Sequence, residues 1–512
     1  MEISLVSDFD YINILQYWFD NPNVWFSSSN TDDLFIHNEF SHLLLNNITI
    51  WNKHHTSCLA YIILFDQFPY HIFRNYNIEK INYYHKFSLN ATFYGIENGY
   101  HFKYTHEELC FFLLPLRHSK VLKYTTLCIN IVKFFRDKND SSTLRRFYKN
   151  SLIDYAKIIN NNLQPSMLSI DDNNIANCCC KFYQSFNTNN LTSNHIFTRF
   201  KEYCQQYNIK SATISISGGV DSMIASFILS FIVTDLKAIH INYNNRPESI
   251  YESQFVQWWC NKLNIPCFIR DITEISRNKS IDRNIYESVT NFIRFNLYSL
   301  KSNDIPIFLG HNKDDTIENI FTNIYKQTNF NNLKGMFEYD VIKQSIICRP
   351  MLNISKKDIY NFAHHFNISY LHDSTPKWSQ RGKIRDYLIP AIHLTNSSII
   401  DGIINISNTQ TNMFNIIHKN ILYPFIRTFI FYSDHCNITS LNQSYYEYGI
   451  FFWKVCFQKI FSHFNKNIPS NKAILNFIKL AKRYNTSKHY TVLLTKSSYI
   501  KLYNNIINVY VN

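Results

Sequence analysis

Ala212-Thr213-Ile214-Ser215-Ile216-Ser217-Gly218-Gly219-Val220-Asp221-Ser222-Met223 is the stretch that decides the fold. Its first five residues are an apolar, β-branched run of strand length, and helical apolar spacing follows from Met223 to Phe231. The glycine pair therefore stands where a strand hands over to a helix. Two adjacent glycines let a backbone turn sharply and approach a ligand without Cβ obstruction. The helix start presents unpaired N–H groups and a positive dipole end, and Ser217 and Ser222 can add hydroxyl donors, so the turn reads as a phosphate site. No Gly-Lys-Ser/Thr is present, which separates it from the Walker loop.

Working outward, strand-like runs at Lys237–Ile241, Cys267–Asp271 and Ile305–Leu309 alternate with helical ones at Tyr251–Lys262, Ile285–Leu300 and from Asp314. This βαβα order predicts a Rossmann-like α/β domain with a parallel sheet covered on both faces, whose ligands sit at the C-terminal strand ends. Upstream, the spacing of Phe35, Phe40, Leu43 and Leu44, and of Leu122, Cys128, Ile131, Val132 and Phe135, predicts an all-α segment. Past Pro390 the pattern returns to helix and ends in strands near Thr491–Leu494 and Ile506–Val511. Polar stretches at Asn160–Ser169 and Asn187–Asn194 divide the chain. The expected organisation is a helical domain (1–165), a linker (166–195), an α/β domain (196–395) and a basic, mainly helical C-terminal appendage (396–512).

With 512 residues and a hydrophobic fraction of 46%, the chain is long enough for several packed domains. The opening Met1-Glu2-Ile3-Ser4 lacks a basic n-region and the best apolar run, Met223–Val233, is too short to span a bilayer, which predicts a cytoplasmic protein. The 12 cysteines include no Cys-x-x-Cys pair, so neither a disulfide framework nor a zinc ribbon is expected, and Cys178-Cys179-Cys180 lacks ligand spacing. The net charge of +13 is concentrated late: residues 401–512 hold 12 Lys/Arg against 3 Asp/Glu. Between Lys454 and Lys501 ten basic residues alternate with Trp453, Phe457, Phe461, Phe464, Tyr484 and Tyr490, an electrostatic footprint for a polyanion. Its bases include Lys472, Lys482 and Arg483 as candidate RNA contacts.

Ser217 to Ser222 closely resembles the loop of the PP-loop ATP pyrophosphatase family, whose fold is of the adenine nucleotide alpha hydrolase type. The resemblance implies ATP bound through Ser217, Gly218, Gly219, Val220, Asp221 and Ser222, attack on the α-phosphate and release of pyrophosphate. A second block, Gly310-His311-Asn312-Lys313-Asp314-Asp315-Thr316-Ile317-Glu318-Asn319, is similar to an element of the tRNA(Ile)-lysidine synthetase family and of the related 2-thiocytidine synthetases. Adjacent carboxylates at a helix start suit Mg²⁺, so Asp221, Asp314 and Asp315 are candidate metal ligands and His311 a candidate contact to nucleotide or base.

Further elements follow in the same order: His240 to Arg246, Glu248-Ser249, Glu287 with Arg294, Leu333-Lys334-Gly335-Met336, Arg349-Pro350-Met351-Leu352, Asp373-Ser374, and Arg381-Gly382-Lys383-Ile384-Arg385. Together they span about residues 208–395. By this resemblance His240 joins the ATP site, Arg385 joins Asp221, His311, Asp314 and Asp315 in catalysis, and Arg294 and Arg381 contact RNA; arginines suit bidentate phosphate binding. The implied reaction is adenylation of a tRNA cytidine followed by ligation of an amine such as lysine. Asn291, Asn312, Asn319, Tyr243 and Thr375-Pro376-Lys377-Trp378 depart from the family pattern, and missing Cys-x-x-Cys pairs argue against sulfur insertion. A PP-loop ligase or thiolase on another RNA or small molecule, and an RNA-binding module with a degenerate ATP site, stay open as alternatives.

Residues 16–120 contain Gln16-Tyr17-Trp18-Phe19, Trp25-Phe26, Leu64 to Arg74 and Phe112 to Ser119, and resemble a bacterial helical family of unknown function, TPR-like in fold. Asp66, Arg74 and His118 are expected to form either a polar pocket or a buried ion pair with a capping histidine.

Overall fold

The computed structural model of the protein describes residues 8–25, 29–45, 51, 53–166, 168, 170, 175, 180–246, 248–277, 282–328, 332–371, 379–439, 443–464, 466–483, 489–495, 498–503 and 506–511. Met1 to Ser4, Phe26, Cys178, Cys179, Asp373 to Trp378 and Tyr484 lie outside them. The chain forms two compact units, residues 1–313 with 337–374, and residues 314–336 with 375–512.

The first unit opens with helices α1 (Asp8–Asp20), α2 (Asn30–Phe40), α3 (His55–Ile62), α4 (Phe68–Phe73), α5 (Ile78–Glu97), α6 (His106–His118), α7 (Leu122–Lys138) and α8 (Ser142–Asn162). Side-chain caps fix several starts: Thr105 and Glu108 form a reciprocal capping box on α6, and Ser141 caps α8. Trp18, Trp51, Phe68 and Phe112 fill the centre of this bundle. The same continuous core takes in Ile272, Ile275, Tyr286, Val289 and Ile293 from the α/β segment.

That segment runs α9 (His195–Gln206), β1 (Ser211–Ser215), α10 (Val220–Ile232), β2 (Asp235–Asn242), α11 (Ser249–Lys262), β3 (Cys267–Asp271), α12 (Arg283–Ser302), β4 (Ile307–Phe308), α13 (Lys313–Lys326), β5 (Tyr339–Ile342), β6 (Ser345–Cys348) and α14 (Lys356–His365). The sheet order is β3-β2-β1-β4-β6-β5, parallel except for the edge hairpin β5–β6. Ser215 pairs with Ile239 on β2, and Ile214 with Phe308 on β4, so β1 is central. Strand connections through helices place α10 deep in the unit, with Met223, Ile224, Ala225, Phe227, Ile228 and Leu229 fully buried. A helix apolar on nearly every side can only be an interior one. The sheet and both helical layers match the architecture expected from the sequence; the hairpin β5–β6 was not foreseen.

The second unit contains α13 from Asp314, then α15 (Gln380–Lys383), α16 (Ile389–Asn396), α17 (Ser398–Ile417), α18 (Tyr423–Ile426), β7 (Phe429–Phe431), β8 (His435–Ile438), α19 (Gly449–His463), α20 (Asn471–Ala481), β9 (Tyr490–Leu493), β10 (Ser498–Tyr503) and β11 (Ile506–Val511). The strands form an antiparallel sheet of order β7-β8-β11-β10-β9. Its inward residues Cys436, Ile438, Val492, Ile500, Leu502, Ile507 and Val509 pack with α19 and α20. Helix still outweighs strand after residue 396, but the sheet is larger than the two strands expected. Among the described residues no helix is long and apolar enough to cross a membrane.

Candidate nucleotide site

Four residues join β1 to α10, and their geometry separates the roles of the two glycines. Gly218 adopts φ +85°, and a Cβ there would stand 2.6 Å from Leu371 Cδ1. Both the left-handed backbone and the close approach demand glycine. Its carbonyl accepts the Leu371 N–H at 2.9 Å. Gly219 has φ −70°, and a Cβ would meet only Ser217 Oγ at 3.4 Å.

Ser222 is used within the loop. Its Oγ accepts the Ser217 N–H at 3.1 Å and donates to the Gly219 carbonyl at 2.9 Å, and the residue is buried. These bonds tie the Ser222 hydroxyl to the turn. Ser217 Oγ lies 3.2 Å from Ser222 Oγ and accepts the Gly219 N–H at 3.4 Å.

A second loop, after β4, presses against the first. A Cβ on Gly310 would lie 2.9 Å from Ser222 N and 3.0 Å from Asp221 C, both backbone atoms. Two residues on, Asn312 Nδ2 donates to Asp221 Oδ1 at 2.8 Å, while Lys356 Nζ reaches Asp221 Oδ2 at 2.5 Å. Lys356 was missed in the sequence, although Ser355 is followed by lysine in the first turn of α14, where the helix dipole disfavours a cation. His311 Nδ1 accepts from Arg349 Nε at 3.2 Å, and Arg349 Nη1 donates to the Phe337 carbonyl at 2.8 Å. Burial pulls the Arg349 pKa below its ordinary value.

His240 is buried at the end of β2. Its Nδ1 donates to the Ile216 carbonyl at 2.9 Å and its Nε2 lies 3.1 Å from Ser253 Oγ. Burial pushes its pKa down. The Nδ1 bond ties the end of β2 to the residue that follows β1.

In the second unit Glu318 has a fully buried side chain and accepts from Arg381 Nε at 2.8 Å and from Arg385 Nε at 2.7 Å. Arg381 Nη2 also reaches Asp315 Oδ1 at 2.7 Å. Asp314 and Asp315 stand in the first turn of α13. Asp221 belongs to the other unit, and among the described residues no three His, Cys, Asp or Glu side chains form a group that could hold a metal ion. Asp221 and Asp315 each hold a cationic side chain, Lys356 and Arg381 respectively.

The remaining candidates are dispersed. Arg294 lies 5.3 Å from the Phe295 ring centroid, and its Nε is buried with no hydrogen-bond partner among the described residues. Lys472, Lys482 and Arg483 are exposed on or beside α20, Lys482 pairing with Glu447 at 2.7 Å. Trp453, Phe457 and Phe461 are buried in the core of that unit, and Phe464 and Tyr490 pack against it, so these aromatics support the fold rather than a stacking surface. In the helical segment His118 Nδ1 bonds buried Asp66 at 3.0 Å, with His85 3.7 Å away. Arg74 instead pairs with Asp33, at 2.5 Å, so the expected trio is split.

A glycine-bearing loop between the central strand of a parallel sheet and a buried helix sets the class of site, and residues 192–392 match the family model described as PP-loop domain. Residues 14–164 match the model described as bacterial protein of unknown function, DUF924. Among curated proteins the chain is similar to the tRNA(Ile)-lysidine synthase of Chlamydia muridarum, 28% identical over 186 residues, covering 35% of this chain and 57% of that one. The enzyme of the same name from Staphylococcus aureus strain COL is 26% identical over 230 residues, covering 42% and 52%. That of Mycoplasma mycoides is 28% identical over 318 residues, covering 58% and 73%. The chain thus spans about half the length of the first curated relatives it matches. Among solved structures, the tRNA thiolase NcsA from Methanococcus maripaludis aligns at 14% identity and TM-score 0.35, over 44% of this chain and 78% of that one.

Proposed function

We propose that the protein is an ATP-dependent tRNA-modifying enzyme of the PP-loop class, acting as a tRNA(Ile)-lysidine synthetase does. The observation that carries the reading is the loop itself: Gly218 in a left-handed turn, Gly310 pressed against it, and Asp221 held at the head of α10 by Asn312 and Lys356. The similarity to relatives named for tRNA(Ile)-lysidine synthase supports the substrate class.

The N–H groups of the first turn of α10 and the Lys356 ammonium bind and orient the triphosphate. A cytidine O2 of the tRNA attacks the α-phosphorus, forming an O–P bond as the α–β bridging bond breaks and pyrophosphate leaves with the electron pair. An amine, lysine in this reading, then attacks C2, and AMP departs with O2 while the amine gives up its proton. Mg²⁺ brought in with ATP would be held at Asp221 and would supply positive charge to neutralise the leaving pyrophosphate. Arg381 and Arg385, both tied to Glu318, and the exposed Lys472, Lys482 and Arg483 supply positive charge for the tRNA backbone.

The test is tRNA-dependent release of AMP by the wild type and by Asp221→Ala. Loss of release in the variant supports the site; equal turnover by the two removes it. Lysine-dependent mass gain in a tRNA cytidine separates this reaction from ligation of another amine.

A further inference from the structure

The helical segment and the α/β segment share one core, and a chain of buried polar groups crosses between them. Asn160, in the last turn of α8, is fully buried. Its Nδ2 donates to the Ile293 carbonyl at 3.1 Å and to Asn296 Oδ1 at 2.9 Å, both on α12. Its Oδ1 accepts from Arg270 Nε at 2.8 Å. Arg270, itself 1% exposed, is further bonded to the Glu274 carboxylate and the Asp271 carbonyl.

The chain continues to the loop after β2. Asp271 Oδ1 accepts from Asn242 Nδ2 at 2.8 Å, and Asn242 Oδ1 accepts the Asn244 N–H at 3.0 Å. Asn244, at φ +47°, returns a bond to the Ile272 carbonyl at 3.0 Å, and Asn245 Nδ2 donates to Tyr286 Oη at 2.8 Å. Tyr243, between them, packs against the core shared with the helical segment. Residues 242–246 follow β2, which pairs in parallel with β1 just ahead of the phosphate loop.

The opposite side of β1 is filled. There Gly310 touches the loop backbone, and Asn312 and Lys356 occupy Asp221. For a nucleotide with its phosphates at the start of α10, the β2 flank is the side on which these contacts do not stand.

We infer that the helical domain is a fixed buttress of the nucleoside flank of the ATP site, and that Asn160 is a positioning residue acting through Arg270, Asp271 and Asn242 on residues 242–246. The inference rests on the ATP reading above only for the identity of the ligand. Buried amides with every hydrogen bond made fix one arrangement of the elements they join, because an alternative would strand a polar group.

The experiment compares full-length wild type, Asn160→Ala and Ser88→Ala. Ser88 is buried in the helical core far along the chain from the seam, and its Oγ donates to the His85 carbonyl of its own helix, so its removal controls for general loosening of that domain. Hydrogen exchange without nucleotide is expected to quicken about threefold in residues 242–246 of Asn160→Ala and to stay unchanged there in Ser88→Ala. ATP affinity by calorimetry is expected to fall about fivefold in Asn160→Ala alone. Unchanged exchange at 242–246 in Asn160→Ala, or equal effects of the two substitutions, overturns the buttress. A wild type that binds no ATP refutes the proposed function, while the exchange comparison still decides the coupling.

Discussion

Gly310 stands so close to Ser222 that a Cβ on the glycine would lie 2.9 Å from the serine's backbone nitrogen. Neither partner in that contact is a flexible side chain, so Gly310→Ala must displace the phosphate loop or the loop after β4. Overpacking of this kind costs about 1–3 kcal/mol, and here the displacement falls on the turn that would hold the triphosphate. We expect Gly310→Ala to lower ATP affinity at least about tenfold, equivalent to ~1.4 kcal/mol, measured by calorimetry. Gly402→Ala is the control: nothing among the described residues lies within 4 Å of a Cβ there, and within the helix α17 it should leave ATP affinity as it is.

Lys356 and Asp221 are each about a quarter exposed, so their pair adds at most about 1 kcal/mol to stability. Its value lies in keeping an ammonium at the head of α10. Lys356→Met is therefore expected to leave the melting transition nearly in place while lowering ATP affinity about tenfold, with a shallower dependence on salt concentration. A variant that binds ATP like the wild type would show that the lysine serves Asp221 alone.

The arrangement around that pair shows where sequence reading succeeds and where it stops. The β1–loop–α10 unit was legible because its chemistry is local: a β-branched run, a glycine pair and a buried helix lie within some twenty residues. Gly218 and Gly219 could not be told apart, since the clash that singles out Gly218 comes from Leu371, far along the chain. Lys356 and the Asn160 seam were hidden for the same reason, their partners being brought together only by the tertiary fold. The internal bonds of Ser222 to Gly219 and of His240 to Ile216 are likewise invisible in the sequence, where a polar side chain carries no sign of its partner. In the C-terminal segment the alternation of aromatics and lysines was real, but its helical period buries the rings and exposes the charges.

Glu318 carries a fully buried carboxylate that receives one Nε–H from each of Arg381 and Arg385, tying α13 to the turn that follows residue 379. Glu318→Gln keeps the shape and removes the charge, leaving two guanidiniums with a weaker acceptor. Loss of one partner of a buried ion pair costs about 3–5 kcal/mol, and because both arginines are a third or more exposed the expected loss is lower, about 2 kcal/mol. Urea denaturation of the two proteins measures it. If the arginines also contact RNA phosphate, the variant should bind tRNA no more weakly than the wild type, since their charge is no longer offset by Glu318.

His240 supplies a pH dependence whose sign follows from its burial. Burial holds the ring neutral and pulls its pKa below the ordinary 6.5, while the unfolded chain takes up a proton near 6.5. Below that pH the unfolded state binds more protons than the folded one, so this contribution to stability is complete above 6.5 and is lost as the pH falls through the folded value. His71 and His85 shift in the same direction, also chiefly through burial. Stability measured by urea denaturation should therefore fall from about pH 7 to about pH 5.5, each such histidine contributing at most ~1.4 kcal/mol per pH unit. His240→Gln removes one of these contributions and should flatten the profile by up to that amount, while lowering stability at neutral pH because the Ile216 carbonyl loses its buried donor. Parallel profiles for wild type and variant would mean that His240 gains its proton in the folded protein as readily as in the unfolded chain.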